Sequence, residues 1–151
     1  MQLSPQDKNL LERLGPSKLS GSGFLGHDRR PVEEIVADDL RTLEQRGVNL
    51  ETFVDRLTRI YRTAGSAFGG EVGVGPGLTA VWYDAKGEIP SPFRGDGRYE
   101  KGEAVVEQKS TGKTFIVTAL SIHLIERFGF FQGRGSRYRI DPATVIDLLG
   151  L

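Results

Sequence analysis

The sequence predicts an α+β fold. N-terminal helices, including an antiparallel helical hairpin, are expected to pack on a small, mainly antiparallel sheet with two further C-terminal helices. Three observations predict this class. Apolar residues recur at helical spacing through residues 28–64, short β-rich segments separated by turn residues follow residue 65, and helical spacing returns near the C-terminus.

The length of the chain sets its domain organisation. With 151 residues it is long enough for one domain and little more, so we expect residues 1–151 to form a single domain. Its parts are a helix with a Gly/Ser loop (1–27), the helical hairpin (28–64) and the sheet with two helices (65–151).

Three helices are predicted in the N-terminal part. Residues 4–14 form a short helix, followed by a loop with dispersed glycines. The second helix has Asp28 or Arg30 as its cap and ends at Gly47, and the third begins after Asn49. Because only about three residues join the second helix to the third, these two amphipathic helices should pack as an antiparallel hairpin.

One charged residue interrupts the apolar stripe of the second helix. Asp39 lies in helical register with Val36 and Leu43, so its carboxylate should face the interior and require a cation. Arg46 is the candidate partner, and the alternative is that Asp39 marks a cleft or a subunit contact.

The sheet and the last helices are predicted beyond residue 65. Six glycines between Gly65 and Gly77 exclude a helix there, and Pro90 and Pro92 exclude a central strand between residues 89 and 93. Strands are expected at 78–83, 103–109, 114–118 and 136–140, and helices at 119–128 and from the Asp141-Pro142 cap to residue 149.

The turn between two of these strands resembles a phosphate-binding loop in part. Residues 109–114 read Lys-Ser-Thr-Gly-Lys-Thr, but the motif requires glycine where the chain has Glu107. No apolar strand ending in aspartate follows to hold magnesium. We therefore interpret Gly112-Lys113 as the turn of a hairpin.

The segment 127–139 is the first candidate site. It has four arginines and no acidic residue, and its glycines free the backbone to present N–H groups to an anion. A strand from residue 136 would place Arg137 and Arg139 on one side, outside the core, with Tyr138 and Ile140 on the other. The expected ligand-binding residues are Arg134, Gly135, Ser136, Arg137 and Arg139. The alternative is a turn-rich connection whose phenylalanines fill the core while its arginines are solvated or salt-bridged.

The second candidate is Gly26-His-Asp-Arg-Arg30, which lies just before a helix N-terminus where anions are favoured. Arg29 and Arg30 are added to the ligand-binding set. His27 is a natural proton carrier that Asp28 could orient. The alternative is that Asp28 is only the helix cap and its neighbours lie at the surface.

The third candidate is His123, on the helix predicted at 119–128. It shares the narrow polar part of that helix with Glu126 and Arg127, three and four residues away. A histidine flanked by a carboxylate and a cation can act as a general base, and the alternative is a hydrogen-bonded residue on a core helix.

Composition excludes several classes of function. The chain has 20 Lys plus Arg against 20 Asp plus Glu and is 38% hydrophobic, unlike a disordered tail, a histone-like cation or an acidic solvating protein. Without cysteine and with two histidines it cannot form disulfides, a cysteine nucleophile or a three-histidine zinc site. We expect no metal and no cofactor. The absence of a leader and of an apolar run of about 18 residues predicts a cytoplasmic protein without membrane contact.

Two function classes follow. The first is a non-enzymatic binding or regulatory domain whose basic Gly/Arg loop holds an anionic small molecule or an acidic protein surface. Binding to nucleic acid would be weak and salt-sensitive, because the whole chain is neutral. The second is a small, metal-independent enzyme with His27 or His123 as general base, acting on a phosphorylated or carboxylated substrate. Convergence of both histidines with residues 134–139 would favour the enzyme. Homo-oligomerisation remains open.

Overall fold

The computed structural model describes residues 23–93 and 95–151 of the chain, and the α+β class is confirmed. Within these residues the helices are α1 (Val32–Gln45), α2 (Leu50–Gly65), α3 (Ala119–Phe128) and α4 (Pro142–Leu149). The strands are β1 (Val72–Gly75), β2 (Leu78–Tyr83), β3 (Glu88–Pro90), β4 (Arg98–Glu100), β5 (Glu103–Gln108) and β6 (Thr114–Thr118). The helix predicted at 4–14 lies outside the described residues.

The main sheet has four antiparallel strands in the order β1-β2-β5-β6, and β3 and β4 form a separate two-stranded ribbon. The strands predicted at 78–83, 103–109 and 114–118 are confirmed. Three short strands, β1, β3 and β4, were not predicted, since glycines in β1 and a proline in β3 weaken the strand signal. Pro90 lies in the ribbon and not in a central strand, as expected.

The turn between β5 and β6 is a hairpin turn, as predicted. The Gly112 N–H donates to the Gln108 carbonyl at 2.8 Å, and Gly112 has a left-handed φ of +75°. Lys109 contacts Glu71 at 2.9 Å and Glu107 at 3.1 Å, so this lysine is already paired with carboxylates.

Most helix boundaries follow the predicted caps. The Asn49 side chain accepts from the Thr52 N–H at 2.7 Å, and Gly47 ends the preceding helix at a φ of +68°. The cap predicted for α1 is wrong, because Pro31 occupies the N-cap position and no side chain caps the helix. Asp28 and Arg30 bind each other instead.

The inner face of the main sheet packs against α2. Its buried residues alternate along β2 and β5, as Ala104 and Val106 do on β5, and they belong to the same cluster as Leu57 of α2, which has no exposed surface. Helix α2 also packs against α3, whereas α1 packs chiefly against α4 and not closely against α2, so the close hairpin packing predicted for α1 and α2 is not observed. Helix α3 contacts both the main sheet and β4 of the ribbon, and so joins the two sheets.

The strand predicted at 136–140 is wrong. Residues 129–140 form a series of turns, in which the Ser136 N–H donates to the Gly133 carbonyl at 3.1 Å and the Arg139 N–H donates to the Ser136 carbonyl at 3.2 Å. Because these backbone groups bond within the segment, they do not pair with a sheet edge. The predicted alternation of side chains fails with the strand: Arg137 is exposed, whereas the Arg139 side chain is only 10% exposed.

Candidate functional site

The first two candidate segments, far apart in the sequence, lie directly against each other. The His27 N–H donates to the Arg134 carbonyl, and the Gly133 N–H donates to the Phe24 carbonyl, both at 2.9 Å. Residues 24–30 and 133–136 therefore form one structural unit. The sequence placed glycines at both ends of this contact but offered no sign that the segments meet.

Three glycines make this close approach feasible. A Cβ atom on Gly26 would lie 2.3 Å from the Ser136 nitrogen, and one on Gly133 would lie 2.2 Å from the Leu25 carbonyl oxygen. A Cβ on Gly135 would lie 2.2 Å from the His27 ring. These distances are far below ordinary contact, so backbone packs on backbone where only glycine fits.

Asp28 ties the two segments together. Its side chain is 3% exposed and accepts from Arg30 Nη2 at 2.6 Å, from Arg30 Nε at 2.9 Å and from the Arg134 N–H at 3.1 Å. The hydrogen bond from Arg30 holds the pKa of Asp28 well below its usual range. Arg30 also donates to Asp38 at 2.8 Å. The carboxylate of Asp28 therefore accepts hydrogen bonds from Arg30 and from the backbone of the loop formed by residues 129–140, and it does not orient the His27 ring.

Like Arg30, two more of the predicted ligand-binding arginines are engaged by carboxylates. Arg139 donates to both oxygens of Asp39 at 2.9 Å and to Asp141 at 3.2 Å. Arg137 donates to Glu103 at 3.3 Å. The expectation of uncompensated charge in 127–139 is therefore wrong at these two positions, where the salt-bridged alternative holds.

The partner predicted for Asp39 is also wrong. Asp39 is buried, as its register indicated, but its cation is Arg139 and not Arg46. Arg46 pairs with Asp147 on α4. The error arises because Arg139 is 100 residues from Asp39 in the sequence, where helical spacing carries no information.

Three other predicted residues are exposed where the two segments meet. His27, Arg29 and Arg134, which we call the basic surface, make no ion pair with any other residue that the structure describes. Gly135 packs against the His27 ring, and the buried Ser136 donates through its hydroxyl to Gln132 at 2.6 Å, so Ser136 supports the loop from inside.

His123 lies in a different environment. Its Nε2 is 2.6 Å from an Asp96 carboxylate oxygen, which also accepts from the Ser91 hydroxyl at 2.6 Å, and its ring stacks on Tyr99. The predicted partner Glu126 is exposed on α3, and the carboxylate that contacts His123 is Asp96 instead. The two histidines contact different segments, so the convergence that would favour an enzyme is not observed among the described residues.

A cavity of about 270 Å³ lies where the ribbon, the main sheet and the loop meet. Phe24, Ile89 and Leu120 provide apolar lining, and Glu103, Gln132 and Tyr138 provide polar lining. The Tyr138 hydroxyl donates to Glu103, and burial together with this carboxylate raises the pKa of Tyr138. A phenol is protonated at neutral pH in any case, and the raised pKa keeps Tyr138 a donor at more alkaline pH as well.

None of the residues that line this cavity was predicted as a ligand-binding residue, although Gln132 and Tyr138 lie within the first candidate segment. Gln132 carries the clearest structural sign, because it is buried and has a left-handed φ of +72°, which a residue other than glycine rarely adopts. In the sequence the only trace of it is a single amide between Phe131 and Gly133.

No family model matches the chain, and no curated protein and no solved structure is significantly similar to it. Among the described residues, no helix is long and apolar enough to cross a bilayer, and no group of His, Asp and Glu side chains is placed to hold a metal ion. The function of the chain therefore has to be inferred from the residues of the site itself.

Proposed function

We propose that the protein is a non-enzymatic binding domain that holds an anionic group at the basic surface. The observation that carries the proposal is the set His27, Arg29 and Arg134, exposed together and free of ion pairs within the described part of the chain. Of the other arginines of the two candidate segments, Arg30 and Arg139 pair with the buried carboxylates of Asp28 and Asp39, and Arg137 pairs with Glu103.

The backbone beneath the basic surface is held in place before any ligand arrives. Asp28 binds both Arg30 and the Arg134 N–H, and the glycine contacts lock the two segments together. Because this network fixes the backbone at Arg134, binding would order only the exposed side chains, which limits the entropic cost of association.

The chemistry of the basic surface favours phosphate or carboxylate. Two guanidinium groups offer planar, paired N–H donors that match the oxygens of these anions. The ligand is an anionic small molecule or an acidic protein surface. Nucleic acid would bind weakly and with strong salt dependence, because three residues cover few phosphates on a chain with no net positive charge.

The test compares two double variants of equal charge. Arg29→Ala with Arg134→Ala should weaken binding of inorganic phosphate and of an acidic peptide by about tenfold or more, measured by titration at low and moderate salt. Arg59→Ala with Arg62→Ala, which removes two exposed arginines of α2, is the matched control and should bind like the wild type. Failure of the wild type to bind either probe, or equal losses in both variants, would contradict the proposal.

A second candidate function, a small metal-independent enzyme acting on a phosphorylated or carboxylated substrate, is favoured by one observation. The imidazole of His123 is oriented by Asp96, an arrangement that general bases use. Hydrolysis of a phosphate or carboxylate ester panel that disappears in His123→Ala, and persists in the exposed-site control Glu126→Ala, would replace the binding domain by this enzyme.

A further inference from the structure

The cavity between the ribbon, the main sheet and the loop offers a second kind of site. Its apolar side includes Phe24 and Leu120, which are 5% and 4% exposed. At about 270 Å³ it lies near the lower limit of small-molecule sites, which begin at about 300 Å³. Of the basic surface residues, none is among the described residues that line it.

Gln132 presents an unused donor group to this cavity. The residue is 3% exposed; its side-chain oxygen accepts from Ser136 at 2.6 Å, and its backbone carbonyl accepts from Arg139 at 2.6 Å. The side-chain nitrogen has no partner among the described residues, although the side chain lines the cavity. Because no fully buried side-chain nitrogen or oxygen among the described residues lacks a partner, this nitrogen keeps some exposed surface, and a ligand in the cavity that Gln132 lines could supply its acceptor.

The backbone conformation of Gln132 also indicates a binding role for this residue. Its φ of +72° is unfavourable for any residue with a Cβ, and glycine would adopt it without strain. Strain of this kind is retained where the surroundings enforce it, and it is concentrated at binding and active sites. Here Arg139 and Ser136 hold the backbone carbonyl and the side-chain oxygen of Gln132, which leaves its side-chain nitrogen as the polar group available to a ligand.

The carboxylates of the cavity provide the complementary acceptors. Glu103 is held by Tyr138 and Arg137, and its side chain is 17% exposed. Glu100 accepts from the Tyr61 hydroxyl at 2.6 Å and also lines the cavity. Among the described lining residues these two carboxylates are accompanied by one cation, Lys101, and Arg137, which pairs with Glu103, is exposed and is not one of the lining residues.

We infer that this cavity binds a small organic amine, with an apolar body against Phe24 and Leu120, an ammonium group near Glu103 and Glu100, and a carbonyl or hydroxyl acceptor for the Gln132 amide. The inference is independent of the anion site, since it uses other residues and the opposite charge. An anionic ligand is disfavoured here by the same two carboxylates.

The experiment uses phenylalanine amide as the probe, since it carries a phenyl ring, an ammonium group and a carbonyl, with benzoate as the anionic comparison. We expect saturable binding of the amide by the wild-type chain, with NMR shift changes centred on residues 100–103 and 131–138, and no saturable binding of benzoate there. Absence of saturable binding, shift changes elsewhere, or equal binding of benzoate would overturn the inference.

Variant Gln132→Gly separates a binding role from a structural one. Glycine relieves the strained φ but removes the acceptor of the buried Ser136 hydroxyl, so Gln132→Gly is combined with Ser136→Ala, and Ser136→Ala alone is the control. The double variant should stay folded and lose about tenfold in affinity for the probe, whereas the control should bind like the wild type. Unchanged affinity in the double variant, or an equal loss in the control, would overturn the inference.

Variant Glu103→Gln tests the charge preference at nearly constant volume. It should weaken binding of the probe by about tenfold. Its matched control is Glu107→Gln on the same strand, whose carboxylate pairs with Lys109 away from the cavity and whose loss should leave the affinity unchanged. Equal effects of the two variants would contradict an ammonium site at Glu103.

Discussion

Arg139 and Asp39 show how a single buried ion pair connects two distant parts of the chain. The side chains are 10% and 7% exposed, and the guanidinium meets both carboxylate oxygens. Arg139 also binds the carbonyl of Gln132, so the same cation holds α1, the loop and one wall of the cavity. Because an unpaired charge is costly in a poorly hydrated environment, Arg139 and Asp39 each stabilise the charged form of the other.

Removal of Arg139 should therefore destabilise the protein strongly. Arg139→Ala is expected to lower the free energy of unfolding by about 3–5 kcal/mol, because it leaves the buried Asp39 carboxylate unpaired. The comparison is Arg137→Ala, whose exposed pair with Glu103 should be worth about 0–1 kcal/mol. Chemical denaturation measures both. Similar small losses would contradict the structural role of Arg139 and restore the sequence-based expectation that neither arginine supports the core.

At the scale of elements, helix α2 is the main support of the sheet. Its apolar face contacts β1, β2, β5, β6 and α3, and its residues belong to the larger of the two hydrophobic clusters. The smaller cluster lies around Phe93, which stacks on Phe128 with ring centroids 3.6 Å apart and so fixes the segment between β3 and β4 against α3. The smaller cluster joins buried residues of α1 and α3, and Ile89 and Tyr99 of the ribbon pack against it.

The importance of α2 can be measured at Leu57. Leu57→Ala should lower the free energy of unfolding by about 2–5 kcal/mol, because the residue is fully buried and its neighbours can only partly fill the space. Asp55→Ala, at an exposed position of the same helix, should change it by less than about 0.5 kcal/mol. A denaturation midpoint unchanged in Leu57→Ala would mean that α2 does not cover the sheet.

The contact between residues 24–30 and 133–136 is tested at Gly133. Gly133→Ala should cost about 1–3 kcal/mol of stability, because the new methyl group would overlap the Leu25 carbonyl while the backbone itself needs no left-handed φ. Gly73→Ala is the control, since β1 has open space at that position and no left-handed φ. Equal thermal stability of the two variants would exclude close backbone packing at Gly133.

The whole molecule has no net charge, but its charged residues are unevenly distributed. Carboxylates collect beneath the loop and in the cavity, whereas the basic surface lies outside, so opposite charges serve different faces of the same unit. The two proposals, an anion site on the basic surface and an amine site in the cavity, both depend on this separation.

Acid should destabilise the whole molecule through its paired carboxylates. The pKa of Asp28 lies below its ordinary value of 3.8 in the folded chain, chiefly because of Arg30. A lowered folded pKa stabilises the fold fully above the unfolded pKa, and this stabilisation is lost as the pH falls through the folded pKa. In urea denaturation between pH about 6 and about 2, the wild type should lose more stability than Asp28→Asn does. Parallel curves would show that Asp28 is not stabilised as a charged group.

Local sequence signals determined most of the helices and the β5–β6 hairpin. Asn49 and Asp141 cap helices, and Gly47, Gly112 and Gly150 adopt left-handed conformations where the pattern required them. These features depend on residues within about one helical or hairpin turn of each other, so they can be predicted from neighbouring residues. The buried register of Asp39 follows from the same helical spacing.

Only the tertiary structure decided which segments meet and what each charge does there. Asp39 pairs with Arg139 across 100 positions, and residues 24–30 close on residues 133–136, which no local pattern encodes. These distant contacts also hold Gln132 in its left-handed conformation and residues 136–140 in turns. In the turns the backbone groups and the buried charges have partners, which a strand at this place would not give them. The helices and the β5–β6 hairpin could be predicted because their interactions are local. The basic surface and the cavity depend on distant contacts, which the spacing of apolar residues does not describe.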